Sequence, residues 1–279
     1  MKKTQILAIL NLLALLIHVT ISYFTQFKLI NDQDVGQISD AYDSIFTPAG
    51  ITFAIWGVIY TALLFFCLYH IRMAFKQAYT HPANENVRRM SVWFILNNIG
   101  AATWLVVWTK GFIPASAALI LFQLITLIIL NLRLKIHDPH VGTESKIFTQ
   151  FPLSIYFGWL TIATIANISI YLLASDWNGL GLHYSPIEWT RIMIGVAVFL
   201  TVLVIFTRHN VFFGLAILWA LYGIILKRVS INPTLYADVT KTAWIGLGIV
   251  AAASIIQFIL NITAKKQISS FQQAASPAK

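Results

Sequence analysis

Eight long apolar stretches run through this 279-residue chain and determine the solvent in which it can fold. A helix needs about 20 predominantly apolar residues to cross the hydrocarbon core of a bilayer. Charged residues make up only 10% of the chain, whereas an ordinary soluble domain carries about 25%. We therefore predict an all-α, polytopic transmembrane helical bundle with eight spans, at approximately 5–26, 49–73, 90–109, 114–136, 149–174, 188–207, 210–227 and 240–264.

The distribution of charge predicts the orientation of these spans. The net charge is +9, but the Lys and Arg residues are spread over several loops, which disfavours nucleic acid as a partner. Most of them fall on the inner side if the N-terminus is cytoplasmic, as the positive-inside rule expects. The loop after the first span is acidic, which fits an outer loop. We expect a multi-pass protein of the cell membrane, surrounded by lipid bilayer, with both termini cytoplasmic and a disordered tail at 267–279.

Few residues inside the predicted spans could carry out chemistry. No Asp or Glu lies near the middle of a span, which disfavours proton- or sodium-coupled transport. His18 is either a ligand or proton site or, as we favour, a helix-contact residue hydrogen-bonded to a neighbouring backbone. His137 and His140 fit a solvated turn better than a metal site, because Pro139 disrupts helical spacing. No motif for covalent or metal catalysis appears, so we expect neither enzyme activity nor a required cofactor.

Span five carries a stripe of aromatic and polar residues. Tyr156, Trp159, Ala163 and Asn167 sit at offsets 0, 3, 7 and 11, which place them on one helix face at about 100° per residue. A carboxamide is costly in lipid unless it is hydrogen-bonded. This face must therefore contact protein or a cavity.

Spans two and three show comparable faces, which lie toward the outer half of the membrane in the expected orientation. Such stripes form either a pocket for a flat ligand or ordinary helix-packing and interfacial contacts. Spacing alone leaves both readings open. The stripes consist of Phe53, Trp56 and Tyr60 in span two and of Asn97, Ala101, Trp104 and Trp108 in span three.

The stripes resemble a pattern found in the TspO/translocator protein family, also called the tryptophan-rich sensory proteins. The fifth helix of that family reads Tyr-x-x-Trp-x-x-x-Ala-x-x-x-Asn, and residues 156–167 match it throughout. In span two, Pro48, Trp56 and Tyr60 keep the family's spacing. Span three carries a Trp-x-x-x-Trp that is similar to the family's Trp-x-x-x-Phe.

The resemblance implies a five-helix transmembrane bundle over residues 1–175, with a ligand pocket covered by residues 27–47. Spans six to eight, within 176–266, have no counterpart in that fold. Family members bind porphyrins and other tetrapyrroles, and some bind sterols. The resemblance thus implies a sensor or carrier that binds a flat hydrophobic small molecule, a tetrapyrrole or a sterol-like compound. The implied ligand-binding residues are Trp56, Tyr60, Trp104, Trp108, Tyr156, Trp159, Ala163 and Asn167.

Two further expectations concern the whole bundle. An eight-helix transporter of a small uncharged or amphipathic solute would use the same cavity, and polar residues such as Gln123, Asn131 and Asn261 would then line a continuous path. In span eight, Gly248 and Ala252 form a small-xxx-small face that suits close helix contact. We expect this face either to pack within the bundle or to form a homodimer.

Overall fold

A computed structural model of the chain describes residues 2–42, 44–136, 138, 141–175, 177 and 184–274, with side chains up to residue 263. These residues form helices and loops and contain no strand, which confirms the all-α prediction. The helices are α1 (Lys2–Gln26), α2 (Val35–Ala41), α3 (Ile55–Lys76), α4 (Pro82–Met90), α5 (Trp93–Thr109), α6 (Ile113–Arg133), α7 (Thr143–Ser145), α8 (Phe151–Ala174), α9 (Pro186–Arg208), α10 (Val211–Ile231) and α11 (Ala237–Ala274). A 3₁₀ helix (Gly50–Ala54) precedes α3, and a π-helical turn (Lys146–Gln150) precedes α8.

Seven helices of the described part are long and apolar enough to cross a membrane, and α4 with α5 makes an eighth if that bent pair counts as one span. Their outward faces carry large apolar side chains such as Phe65, Ile125 and Phe199. In water such a surface would be unstable, whereas in a bilayer it needs no further cover. This arrangement confirms a polytopic membrane protein.

The third span differs from its prediction, which began it at residue 90. The backbone of Ser91 adopts a positive φ of 50°, and α4 meets α5 at an angle of 53°. L-residues continue a right-handed helix only at negative φ, so the break at Ser91 is sharp. The straight helix α5 has 17 residues, or about 26 Å at 1.5 Å per residue, slightly less than the hydrocarbon thickness.

The second span begins as a 3₁₀ helix because α10 anchors its start. The Ala49 amide donates to the Gly223 carbonyl at 3.0 Å, and the Trp219 indole donates to the Thr52 carbonyl at 2.8 Å. A Cβ at position 223 would lie 2.5 Å from the Thr52 side chain and 3.0 Å from Pro48. Only a glycine admits this close approach of the two segments.

Packing does not divide at residue 175. Helix α8 lies between α6 and α10, and its Gly158 faces the Phe213 carbonyl and the Ala216 methyl group of α10. One continuous core contains Leu15 of α1, Tyr156 of α8 and residues of α9, α10 and α11. The last three helices thus form part of the same bundle as the first five.

The C-terminal region corrects two expectations. Helix α11 continues to Ala274, so much of the predicted disordered tail is helical. Residues 264–274 are rich in Ala, Lys and Gln, which favour helix. Residues 275–279 lie outside the described residues. A Cβ at Gly248 would meet nothing within 4 Å, and Ala252 is exposed. The small-residue face therefore does not pack within this bundle, and the homodimer stays a prediction.

Candidate ligand-binding site

Helix α2 covers one end of the bundle. It starts with a capping box in which the Asp34 carboxylate accepts from the Gln37 amide at 2.9 Å, and the Gln37 side chain accepts from the Asp34 amide at 3.1 Å. The Trp108 indole of α5 donates to the Val35 carbonyl at 3.1 Å. Lys227 of α10 forms an ion pair with Asp40. Such caps and tethers stabilise a short helix that could not persist alone.

A cavity of about 670 Å³ lies beneath α2, between α1, α3 and α5. This volume falls within the range of about 300–1,000 Å³ that is usual for small-molecule sites. Its lining is mainly apolar and aromatic. The ring-bearing residues of the lining are Tyr23, Phe27, Phe53, Trp56, Tyr60 and Trp104.

A second space, of only about 50 Å³, adjoins the cavity at Phe53, Trp56 and Trp104. It is a crevice with room for about one or two water molecules, each of which occupies about 30 Å³ in the liquid. No flat ring system fits there as the side chains stand. The predicted residues that line this crevice are Trp56, Trp104, Trp108, Trp159, Ala163 and Asn167.

The rings of the site form two stacked pairs. Trp56 stacks on Tyr60, with ring centroids 5.2 Å apart, and Trp104 stacks on Trp108, with centroids 5.5 Å apart. Trp159 meets Trp56 edge-on at 6.4 Å. Both geometries are favourable for aromatic pairs, so the indoles of α3 and α8 support each other, and the two indoles of α5 form a separate pair.

The eight predicted residues therefore divide between the two spaces. Trp56, Tyr60 and Trp104 line the large cavity, whereas Trp108, Trp159, Ala163 and Asn167 reach only the crevice. Tyr156 lines neither space, because it is fully buried and lies behind Trp56, with ring centroids 6.0 Å apart.

Two residues of the span-three stripe lie away from both spaces. The Asn97 side chain donates to the Gln123 carbonyl at 3.0 Å and to the Thr126 hydroxyl at 2.8 Å. Ala101 is also buried. Asn97 thus holds α5 against α6, and the common face predicted for the stripe serves helix packing at these two positions.

Several polar atoms of the site have no partner among the described residues. They include the Trp104 and Trp159 indole nitrogens and the side-chain nitrogen of Asn167, whose oxygen accepts from the Ser116 hydroxyl at 3.3 Å. An unpaired buried donor costs about 1–3 kcal/mol. Trp104 lines the cavity with its ring, but its N–H group is buried, so a ligand acceptor could reach this group only if the side chain moved.

His18 contacts a neighbouring helix, as favoured from the sequence, but its partner is a side chain rather than a backbone group. Its Nδ1 lies 3.0 Å from the Asn98 Oδ1. Among the described residues, no three His, Cys, Asp or Glu side chains converge as metal ligands would. His137, Pro139 and His140 of the predicted solvated turn lie outside the described residues.

The predicted cover, residues 27–47, includes α2, but sequence patterns missed the cavity-lining residues of α1 and did not single out those of α2. Val19 and Ser22 of α1 and Val35 and Gln37 of α2 line the large cavity, yet none belongs to an aromatic stripe. A usable signal was present in α1, where His18 and Ser22 place polar groups four residues apart on one face of an otherwise apolar helix.

A family model described as TSPO-like protein matches residues 8–256. The chain belongs to this family. The match runs well past residue 175 and includes α9, α10 and most of the apolar part of α11, in agreement with the continuous packing of this TSPO-like protein. No significant match to a curated protein or to a solved structure accompanies it.

Proposed function

We propose that this TSPO-like protein binds a flat hydrophobic molecule, tetrapyrrole- or sterol-like in shape, in the cavity beneath α2 and acts as a sensor or carrier for it. The observation that carries the proposal is the cavity itself, whose volume of about 670 Å³ suits such a ligand. Trp56, Tyr60 and Trp104 present rings to it, and flat aromatic faces bind flat ligands by stacking.

The polar residues expected for a transporter do not support a continuous path. Gln123 donates to the Leu119 carbonyl of its own helix, and Asn131 does the same to Leu127. Asn261 donates to the His209 carbonyl at the far end of α9. These side chains satisfy backbone groups in three separate places, so ligand binding is the function that the site favours.

A quenching experiment tests the proposal. Protoporphyrin dimethyl ester, whose ring carries no ionised side chains, is titrated into purified protein while tryptophan fluorescence is followed. We expect saturable quenching and a clear loss of affinity in Trp56→Ala. Trp159→Ala should change affinity less, because Trp159 lines only the crevice. Unsaturable quenching, or quenching that Trp56→Ala leaves unchanged, would refute the proposal.

We further propose that both termini face the cytoplasm, so that the cavity lies toward the outer side. Cys67 is buried and is the one cysteine of the chain, which makes introduced cysteines clean reporters. A membrane-impermeant maleimide should label Lys28→Cys in intact cells and Thr143→Cys only after permeabilisation. The opposite labelling pattern would show that the termini lie outside and would contradict the proposed topology.

A further inference from the structure

A chain of polar side chains crosses three helices and ends at the cavity. The Tyr60 hydroxyl lies 3.0 Å from the Ser22 Oγ and 3.4 Å from the His18 Nε2. The His18 Nδ1 lies 3.0 Å from the Asn98 Oδ1. Ser22 and Tyr60 line the cavity, whereas His18 and Asn98 are buried behind them. Polar groups inside a membrane protein are costly and commonly mark functional sites.

The proton positions in this chain follow from its anchored end. The Asn98 amide nitrogen donates to the Phe94 carbonyl at 2.8 Å, so the Asn98 Oδ1 is the acceptor that faces His18. In a neutral imidazole the Nδ1 then carries the proton, and the Nε2 is left as an acceptor. Tyr60 has one proton, which it can give either to Ser22 or to His18.

These two arrangements decide whether Ser22 offers a hydrogen-bond donor or an acceptor to the cavity. When Tyr60 donates to Ser22, the Ser22 hydroxyl proton is left for an acceptor on a ligand. When Tyr60 instead donates to His18, Ser22 can donate to Tyr60 and offers its lone pairs to a ligand donor. Ser22 can thus bind either a carbonyl or a hydroxyl group, and both groups are uncharged.

The charges around the cavity also favour an uncharged ligand. The charged residues among its described lining are Asp34 and Asp40, with neither Lys nor Arg. Asp40 is paired with Lys227, whereas Asp34 caps α2 and leaves its negative charge at the rim. A carboxylate on a ligand would meet no cation in this lining, and it would be repelled by Asp34.

We infer that the cavity selects an uncharged flat amphiphile that bears one hydroxyl or carbonyl group, which Ser22 recognises, over flat ring systems that bear carboxylates. This inference rests on the proposed function, because it names the ligand class of the same cavity. Ser22 contacts the ligand, whereas Tyr60 and His18 orient the hydroxyl group of Ser22.

The test compares three probes that share one ring system: pyrene, 1-hydroxypyrene and pyrene-1-carboxylate. Binding is measured at pH 7 in a fixed detergent by energy transfer from tryptophan to the pyrene ring. We expect Ser22→Ala to weaken 1-hydroxypyrene binding about tenfold, as the loss of one hydrogen bond would, and to leave pyrene binding unchanged. Ser175→Ala, which removes an exposed serine hydroxyl at the end of α8, is the matched control.

The negative charge of Asp34 provides the second part of the test. Asp34→Asn keeps a good helix cap and should strengthen pyrene-1-carboxylate binding about twofold to fivefold, with no effect on the two neutral probes. If all three probes bind and neither substitution discriminates among them, the inference is overturned while the proposed function stands. If none of the probes binds saturably but protoporphyrin dimethyl ester does, only the inference is overturned; if that ester also fails to bind, both are overturned. Retained pyrene binding by Ser22→Ala shows that this variant is folded.

Discussion

Gly158 offers the sharpest test of how the last three helices join the bundle. A Cβ at this position of α8 would lie 2.6 Å from the Phe213 carbonyl oxygen and 3.0 Å from the Ala216 Cβ of α10. A backbone oxygen cannot move aside without moving its helix. We therefore predict that Gly158→Ala pushes α8 and α10 apart and is less stable than a glycine-to-alanine variant whose new Cβ meets no neighbour.

The magnitude follows from a matched substitution. Gly195 of α9 has open space around its Cβ position, with nothing within 4 Å. Gly195→Ala should gain only the helix propensity of alanine, about 1 kcal/mol. Gly158→Ala gains the same propensity but adds an overpacking cost of about 1–3 kcal/mol. The difference between the two variants isolates the clash.

The assay is equilibrium unfolding in mixed micelles, in which SDS is titrated and tryptophan fluorescence is followed. We expect the Gly158→Ala midpoint to fall below that of Gly195→Ala by an amount equivalent to about 1–3 kcal/mol. Equal midpoints would show that α8 and α10 do not approach as closely as described. The argument for one continuous bundle would then lose its main support.

Three other substitutions test the cover of the cavity. Trp108→Phe removes the indole bond to Val35, worth about 0.5–1.5 kcal/mol, and should speed hydrogen exchange of α2 amides about twofold to tenfold; unchanged exchange would contradict this tether. Lys227→Met breaks the exposed pair with Asp40 and should raise the same exchange rates by less than about fivefold. High salt should screen this pair in the wild type, so that the exchange rates of wild type and variant become equal. Gly223→Ala should increase hydrogen exchange of the amides of residues 49–54 but not of those in α2. Exchange of residues 49–54 at the wild-type rate would refute the close approach of Gly223 to this segment.

Sequence patterns predicted the helices well and the site only in part. Runs of about 20 apolar residues specify a span because the bilayer imposes its thickness on any helix. The break at Ser91 escaped this reasoning, since a positive φ at one residue leaves no trace in hydropathy. The 3₁₀ start of the second span depends on contacts with Gly223, 171 residues beyond Thr52, and local sequence does not reveal them.

The candidate site shows the same limit. Helical spacing predicts one common face for Trp159, Ala163 and Asn167, and all three side chains line the crevice. It could not show that the Trp56 ring would lie between the cavity and Tyr156, since that depends on how two helices meet. The contribution of Ser22 was missed because its only signal is the spacing of four residues from His18, and that spacing does not show which helices the two side chains face.

The most direct test of the central claim fills each of the two spaces in turn. Gly57 lines the cavity and has nothing within 4 Å of its Cβ position, so Gly57→Trp should occupy the cavity without disturbing the fold. Ala163→Val fills the crevice instead, and Gly195→Trp controls for an added indole elsewhere. Titration of protoporphyrin dimethyl ester should show binding abolished in Gly57→Trp and retained in the other two variants. Unchanged affinity in Gly57→Trp would contradict a ligand site in the cavity beneath α2.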